Sequence, residues 1–355
     1  MRYLEEAELD DLALGATLLG TGGGGDPFVA RIVAGQAIRD HGPIKIMGVD
    51  ELADDALVVT IAGVGAPTVL IEKLPSGKEF VAALTALETY LGRKVDAVMP
   101  VEVGGMNTLI PLVVAAELGL PCLDADGMRR AFPQIEMTAF TLGGIKVSPL
   151  TLADEKGNRL VIESQTNQLG EKLVRGAVMT LGMSNAMASY SMSGKEAKDW
   201  AVSGSIEYCL TVGRLLREIH EAREGAWDLL LEFTEGRRVF EGKVVDLERR
   251  TTEGFARGTL TIEDFNDTSR TMRIELQNEL LLATENGKPI VTPPDLICVV
   301  DHETGAPITT EALGYGQRVT VLGLPCAPEW RRDGYLDLVG PKAFGYDVPY
   351  TPMEG

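Results

Sequence analysis

Histidine is scarce in this chain. There are three in 355 residues, His41, His220 and His302, and their spacing suits no shared metal ion. A histidine metal centre or a Ser-His-Asp triad is therefore poorly supported, and each histidine is expected at a surface or a turn. Cysteine is nearly as thin. Cys122, Cys209, Cys298 and Cys326 are far apart and form no C-x-x-C pair, which argues against a disulfide framework or a zinc knuckle. Three of them sit in apolar runs, where a buried free thiol is the ordinary outcome, and a reducing cytoplasm fits. No run of about 18 apolar residues offers a membrane span. The first residues, Met1-Arg2-Tyr3-Leu4-Glu5-Glu6, lack the basic-then-apolar pattern of a secretory signal. Basic charge is also in deficit: 33 Lys and Arg against 52 Asp and Glu leave a formal net charge of −19. Phosphate backbones need concentrated Lys and Arg. No nucleic acid, no membrane and a cytoplasmic location are the expectations.

What is present is ordinary globular composition, 45% hydrophobic and 24% charged, enough for a large core. Two domains suit this length. Residues 7–20 carry a helical apolar stripe. A glycine run interrupts it, and a second helix restarts with Asp26 as N-cap and Pro27 at the first helical position. Strands are expected over 44–49 and 57–64, and an amphipathic helix over 77–91. The clearest α/β unit is a strand over 95–101, a loop over 104–107 and an apolar helix over 109–118 closed by Gly119. The next strand starts at Pro121, and the helical crossover favours a parallel pair. A hairpin pairs 145–153 with 159–163. Residues 167–182 and 204–222 look helical. From about residue 226 the period changes to two, with strands expected over 229–233, 239–246, 258–262, 270–282, 297–301 and 318–322. The fold class expected is an α/β N-terminal domain with a mainly parallel sheet (1–165). A helical connection (166–225) and a β-rich domain (226–355) follow.

Two segments read like walls of one small-molecule site. Thr21-Gly22-Gly23-Gly24-Gly25-Asp26-Pro27 strips side chains from the backbone and allows positive φ, although it matches neither a dinucleotide fingerprint nor a P-loop. Tight packing against another subunit is the competing structural reading of the same run. Pro100-Val101-Glu102-Val103-Gly104-Gly105-Met106-Asn107 lies at the carboxyl end of a strand, where open α/β sheets hold ligands. Glu102 should point into that crevice, while Asn107 is as suited to capping the next helix as to binding a ligand. Asp124-Ala125-Asp126-Gly127 ends the next strand, and alternation puts Asp124 and Asp126 on one side. Two adjacent carboxylates can divide acid and base work or hold a hard cation; a solvated turn is the plainer alternative. Arg129 or Arg130 could neutralise them or hold a substrate carboxylate, but only one of the pair should reach the site. Glu136 and Thr138 are further polar candidates. Ser191, Ser193 and Lys195 suggest a Ser/Lys nucleophile, yet Ser193-Gly194-Lys195-Glu196 fits a capping box better.

Taken together, the glycine run, the Val101–Asn107 loop, the Asp-x-Asp-Gly turn and the terminal Gly340-Pro341-Lys342-Ala343-Phe344-Gly345-Tyr346-Asp347 resemble one bacterial family. It is the S-methyl thiohydantoin desulfurase-like family, and the likeness runs in order along nearly the whole chain. The resemblance implies an α/β domain followed by a β-rich one, and hydrolytic removal of a sulfur substituent from a five-membered thiohydantoin ring. It also implies association with hydantoinase-type enzymes.

That chemistry needs a base for water, charge stabilisation at the ring and an acid for the leaving thiol. Asp124 and Asp126 are the acid/base candidates, with Glu102 as ring-binding residue or alternate base. Gly23, Gly24 and Gly104 would offer backbone contacts, and Asn107 or Arg129 would orient the substrate. No residue is assigned to a metal. No organic cofactor is expected, and a divalent cation stays open without a His or Cys motif behind it. A homo-oligomer acting on a small molecule is expected. The alternatives are a hydantoin or cyclic imide hydrolase or isomerase, and a non-catalytic partner of a hydantoinase-like enzyme. The last would show a broad exposed apolar patch on residues 226–340.

Overall fold

The computed structural model describes residues 1–65, 69, 75–252 and 255–353. The chain opens with strand β1 (Arg2–Leu4) and helix α1 (Leu9–Leu19), which buries Leu9, Leu12, Ala16 and Leu19. Helix α2 (Pro27–His41) begins as the sequence predicts: the Asp26 carboxylate accepts the Phe28 N–H at 2.8 Å, and Pro27 opens the first turn. Next come β2 (Ile44–Met47), β3 (Leu57–Gly65), α3 (Lys78–Leu91), β4 (Ala97–Pro100) and α4 (Gly105–Leu118). Gly119, at φ 66°, closes α4 in the left-handed conformation expected of it. Short strands β5 (Cys122–Leu123) and β6 (Ala125–Asp126) follow, then α5 (Ala139–Leu142), the hairpin β7 (Leu150–Ala153) and β8 (Arg159–Ile162), and α6 (Asn167–Thr180). Strand β9 (Ser184–Ser193) leads into α7 (Gly194–Trp200), β10 (Val202–Ser203) and α8 (Ser205–His220).

The first sheet has eight strands in the order β1-β2-β5-β4-β3-β9-β7-β8. Its heart, β2-β5-β4-β3, is parallel, and antiparallel strands flank it on both sides. Alternation sorts the two faces. Val59, Ile61 and Val98 join the core beneath α1, α2, α3, α4 and α8, whereas Val58, Ala62, Ala97 and Met99 join the core beneath α6. Strand β9 lies beyond residue 165 yet sits in this sheet between β3 and β7. The sequence reading assigned it no element. It lies between β3 and β7, and all but three of its ten residues are buried.

After α9 (Ala226–Thr234) the chain becomes β-rich: β11 (Arg237–Thr252), β12 (Phe255–Asp264), β13 (Thr271–Gln277), β14 (Glu279–Glu285), β15 (Lys288–Val291), β16 (Leu296–Asp301) and β17 (Arg318–Leu324), with α10 (Tyr335–Val339) near the end. These seven strands form a curled, wholly antiparallel sheet, β15-β14-β13-β12-β11-β17-β16, around its own apolar core.

Two expectations need correction here. Residues 229–233 are helix, not strand: a short apolar run reads either way, and the left-handed residues Gly225 (φ 78°) and Glu235 (φ 52°) bracket one helix. Residues 270–282 are a hairpin rather than one strand, because Asn278 turns the chain at φ 58°.

Ser193 does form the capping box, accepting the Glu196 N–H while Glu196 accepts its own. His41 and His220 sit at the last residues of α2 and α8. All four cysteines are free and buried. Among the described residues no helix is long and apolar enough to cross a membrane.

Candidate active site

The site is built where the glycine run meets the start of α4. Gly22, Gly24 and Gly25 have φ of 85°, 74° and 80°. This winding points the Gly24 carbonyl at the first turn of α4, where it accepts the N–H groups of Met106 (2.9 Å) and Asn107 (3.2 Å). Two otherwise orphaned helix donors are thereby satisfied. The backbones touch: a Cβ on Gly24 would lie 2.3 Å from the Gly104 Cα. Only glycine at both positions allows this approach. The same run is tied to the second domain, since Thr21 accepts the Leu280 N–H at 2.8 Å and Gly22 accepts the Thr310 N–H at 2.9 Å.

Glu102 stands just past the carboxyl end of β4, as its position after a parallel strand requires, and is 7% exposed. Asn107 orients it, donating to Glu102 Oε1 at 2.7 Å while its own Oδ1 accepts the Gly63 N–H of β3 at 2.8 Å. Asn107 therefore fixes the carboxyl group and is not a helix cap; Gly104 holds the cap position. Burial pushes Glu102 up to about 7, against the lowering effect of Asn107 and the Phe132 amide.

A second carboxyl group reaches the same place from the other domain. Glu279 begins β14, directly after the Asn278 turn, and is 3% exposed. Its Oε2 is buried without a partner. Burial raises its pKa well above the ordinary range, the Glu102 charge raises it further, and Arg130 opposes both. Arg130 is fully buried and holds the domain junction, donating to the carbonyls of Pro294 (2.6 Å) and Asp295 (2.9 Å) and to Thr21 Oγ1 (3.2 Å). Its guanidinium also lies 3.9 Å from the Phe132 ring centre.

Glu102, Asn107, Glu279, Gly23, Gly24 and Gly25 all line one cavity of about 80 Å³, with Met106, Phe132 and Arg175 among its walls. At roughly 10–15 Å³ for one water, this admits several waters or a small ring. Among the described residues, the N–H groups of Gly24 and Gly25 meet no acceptor.

The structure thus brings Gly23, Gly24, Glu102 and Asn107 together, with Gly104 packed directly behind them. It does not bring Asp124, Asp126 or Arg129 to this cavity. Asp124 caps α8 from a distance, accepting the N–H groups of Ile206 (2.7 Å) and Glu207 (3.2 Å). Asp126 is fully buried, accepts the N–H groups of Met128 (2.8 Å) and Arg129 (2.7 Å), and takes the Ser205 hydroxyl. Burial pushes it up to about 6 despite those donors. Both carboxylates of D-x-D-G accept backbone or hydroxyl donors, and those donors include residues 205–207, some eighty positions on.

Arg129 faces a different cavity. Glu136 is buried and pushed up to about 7, and Thr138 caps α5; neither lines the Glu102 cavity. Glu279 was missed because it falls inside an expected strand. The signal was the polar triplet Gln277-Asn278-Glu279 between Leu276 and Leu280.

These placements make a prediction. Asp124→Asn and Asp126→Asn should keep turnover within a few-fold of the parent, far from the 10²–10⁴-fold that an acid or base contributes. Their cost should appear in unfolding experiments. A loss of about 10²-fold or more in a variant that unfolds like the parent would return the chemistry to this turn.

Among the described residues, no three His, Cys, Asp or Glu side chains converge as ligands for one metal ion. Fold and site define a two-domain class: an α/β domain and a curled β domain that close on a shared cavity, each contributing a buried carboxyl group. The S-Me-THD-like N-terminal domain matches residues 7–164 and the S-Me-THD-like C-terminal domain matches residues 164–353, so the chain belongs to the S-Me-THD-like family. It is also similar to a protein from Chromobacterium violaceum solved by X-ray crystallography. The identity is 25%, the TM-score is 0.85, and both chains are covered over 100% of their length. No curated protein matches the chain.

Proposed function

We propose that this protein is a hydrolase that removes the sulfur substituent from a small five-membered ring of the S-methyl thiohydantoin type. The observation that supports it most is the convergence of two buried carboxyl groups on one cavity, both with raised pKa values. Two such carboxyl groups can divide base and acid work. Here Glu102, pushed up to about 7, is the base, and Glu279, raised by burial and by the neighbouring Glu102 charge, is the acid.

In this reading Glu102 takes a proton from water as the oxygen bonds to the ring carbon that carries sulfur. The C=N electron pair moves to the ring nitrogen, beside the unpaired N–H groups of Gly24 and Gly25. The tetrahedral carbon then collapses: the C–S bond breaks, Glu279 protonates the sulfur, and methanethiol leaves. The proton on Glu102 passes to the ring nitrogen and the hydroxyl proton passes to Glu279, which restores both groups. Water supplies one oxygen to carbon, one hydrogen to nitrogen and one to sulfur, so no redox partner is needed. The acid and base both act within reach of one ring, which makes the attack effectively intramolecular.

The test is a thiol-release assay across S-alkyl thiohydantoins and plain hydantoins, with chelated and metal-supplemented arms. Release should rise with pH through about 7 as Glu102 ionises, then fall at higher pH as Glu279 loses its proton. Ring opening of hydantoins without thiol release would favour the cyclic imide alternative. Release from every substrate at a rate that does not depend on pH would count against the carboxyl pair. As for a non-catalytic partner, the large apolar side chains exposed among described residues 226–340 are Leu229, Phe233, Tyr315 and Leu336, not one broad sheet face.

A further inference from the structure

Arg129 lines a second, larger cavity of about 460 Å³ on the far side of its turn, together with Arg331, Tyr208, Phe233 and Leu324. Met128, its neighbour in sequence, lines the first cavity. The volume falls within the roughly 300–1,000 Å³ of small-molecule sites.

Its polar groups are unusual for so acidic a chain. Among the described residues neither Arg129 nor Arg331 is ion-paired with a carboxylate. Arg129 gives one N–H to the Ser203 carbonyl, but its Nε is buried and has no acceptor. The cavity is left to the rest of the guanidinium, since Nε is closed off from it. The guanidinium is held in place, 5.0 Å from the Tyr208 ring centre, and Arg129 itself sits at φ 51°.

Tyr208 and Phe233 pack on each other, with ring centres 4.9 Å apart and planes tilted by 32°, and Phe233 adds an exposed aromatic face to the wall. Among the described residues on the wall, the one acidic side chain is Glu235, which is exposed. Asp295, behind the wall, is already saturated by the N–H groups of Cys326 and Met353 and by the Tyr350 hydroxyl. The cavity therefore combines two guanidinium groups that make no direct ion pair, although Asp126 and Asp295 lie near them, with an aromatic and aliphatic lining.

We propose that this cavity binds a small organic carboxylate with a flat apolar body. The carboxylate meets Arg129 and Arg331, and the body lies against Phe233 and Leu324. Guanidinium groups suit this role because their fixed fork matches a carboxylate's two oxygens.

The experiment titrates 3-fluorobenzoate into the full-length protein and follows the fluorine resonance by NMR, with neutral 3-fluorobenzamide as control. Saturable benzoate binding is expected at a Kd of about 1 mM or tighter, within reach of a ligand of this size. The benzamide should bind at least about tenfold more weakly, and Arg129→Gln and Arg331→Gln should each weaken benzoate by a similar factor. Arg331 is exposed, so its variant should fold even if the Arg129 variant does not. Arg175→Gln, in the first cavity, should leave the affinity unchanged. The proposal is overturned by benzoate that does not saturate, by equal binding of the benzamide, or by affinity that falls only in the Arg175 variant.

Discussion

If Glu102 is the base proposed above, Glu102→Gln is expected to lower turnover by roughly 10³-fold while leaving the protein folded, because a positioned base contributes about 10²–10⁴-fold. Glutamine keeps the size of the side chain, and its amide oxygen can still accept from Asn107 Nδ2, as Glu102 Oε1 does at 2.7 Å. What it cannot do is take a proton from water.

The same variant has a readout in stability. Glu102 has its folded-state pKa raised from 4.5 to about 7. The folded protein therefore binds this proton more tightly than the unfolded chain, and stability contributed at acid pH is lost as pH rises from about 4.5 through 7. Glutamine removes that slope. Unfolding midpoints measured across this pH window should therefore fall less steeply in the variant than in the parent. A variant with parental turnover would end the role of Glu102 as base, and an unchanged slope would mean that its carboxyl group is not held in the buried environment described.

How much of this was readable beforehand depended on how local each cause is. The Asp26–Pro27 helix start, the Gly119 stop, the Ser193 capping box and the placement of Glu102 after β4 all follow from residues within a few positions. They survive intact. The contact between the glycine run and the Gly104 loop was also legible, since consecutive glycines imply close backbone approach.

Failures came where the partner is remote. Asp124 and Asp126 looked available because nothing nearby in sequence satisfies them fully, yet residues 205–207 supply donors across the fold. Glu279 is a strand residue, but the Asn278 turn starts its strand beside Gly23, more than 250 positions away in sequence. Helix and strand could not be told apart over 229–233, where five mostly apolar residues are too short for periodicity to decide.

The glycine run offers the other large effect, because two adjacent glycines should fail in different ways. At Gly24, alanine meets φ 74° and puts its Cβ 2.3 Å from the Gly104 Cα. The backbone conformation alone costs about 1 kcal/mol or more. Forcing the loops apart also weakens the bonds from the Met106 and Asn107 N–H groups to the Gly24 carbonyl, each of which contributes about 1 kcal/mol. A total loss on the order of 3 kcal/mol is expected from these terms. Activity should fall with it, since Asn107 carries Glu102.

At Gly23, φ is not in the left-handed range, and the added Cβ would instead lie 2.1 Å from Glu279 Oε1. A carboxyl group can swing aside where a backbone cannot. Gly23→Ala should therefore cost less stability than Gly24→Ala and still displace the proposed acid, lowering turnover by about 10²-fold. The high-pH limb of the rate profile should move as well, because Glu279 would titrate in a new environment. Measuring unfolding and the pH–rate profile on both variants separates backbone packing from acid placement. If Gly23→Ala keeps the parental rate and the parental high-pH limb, Glu279 is not the proton donor, and the acid must be sought elsewhere on the cavity wall.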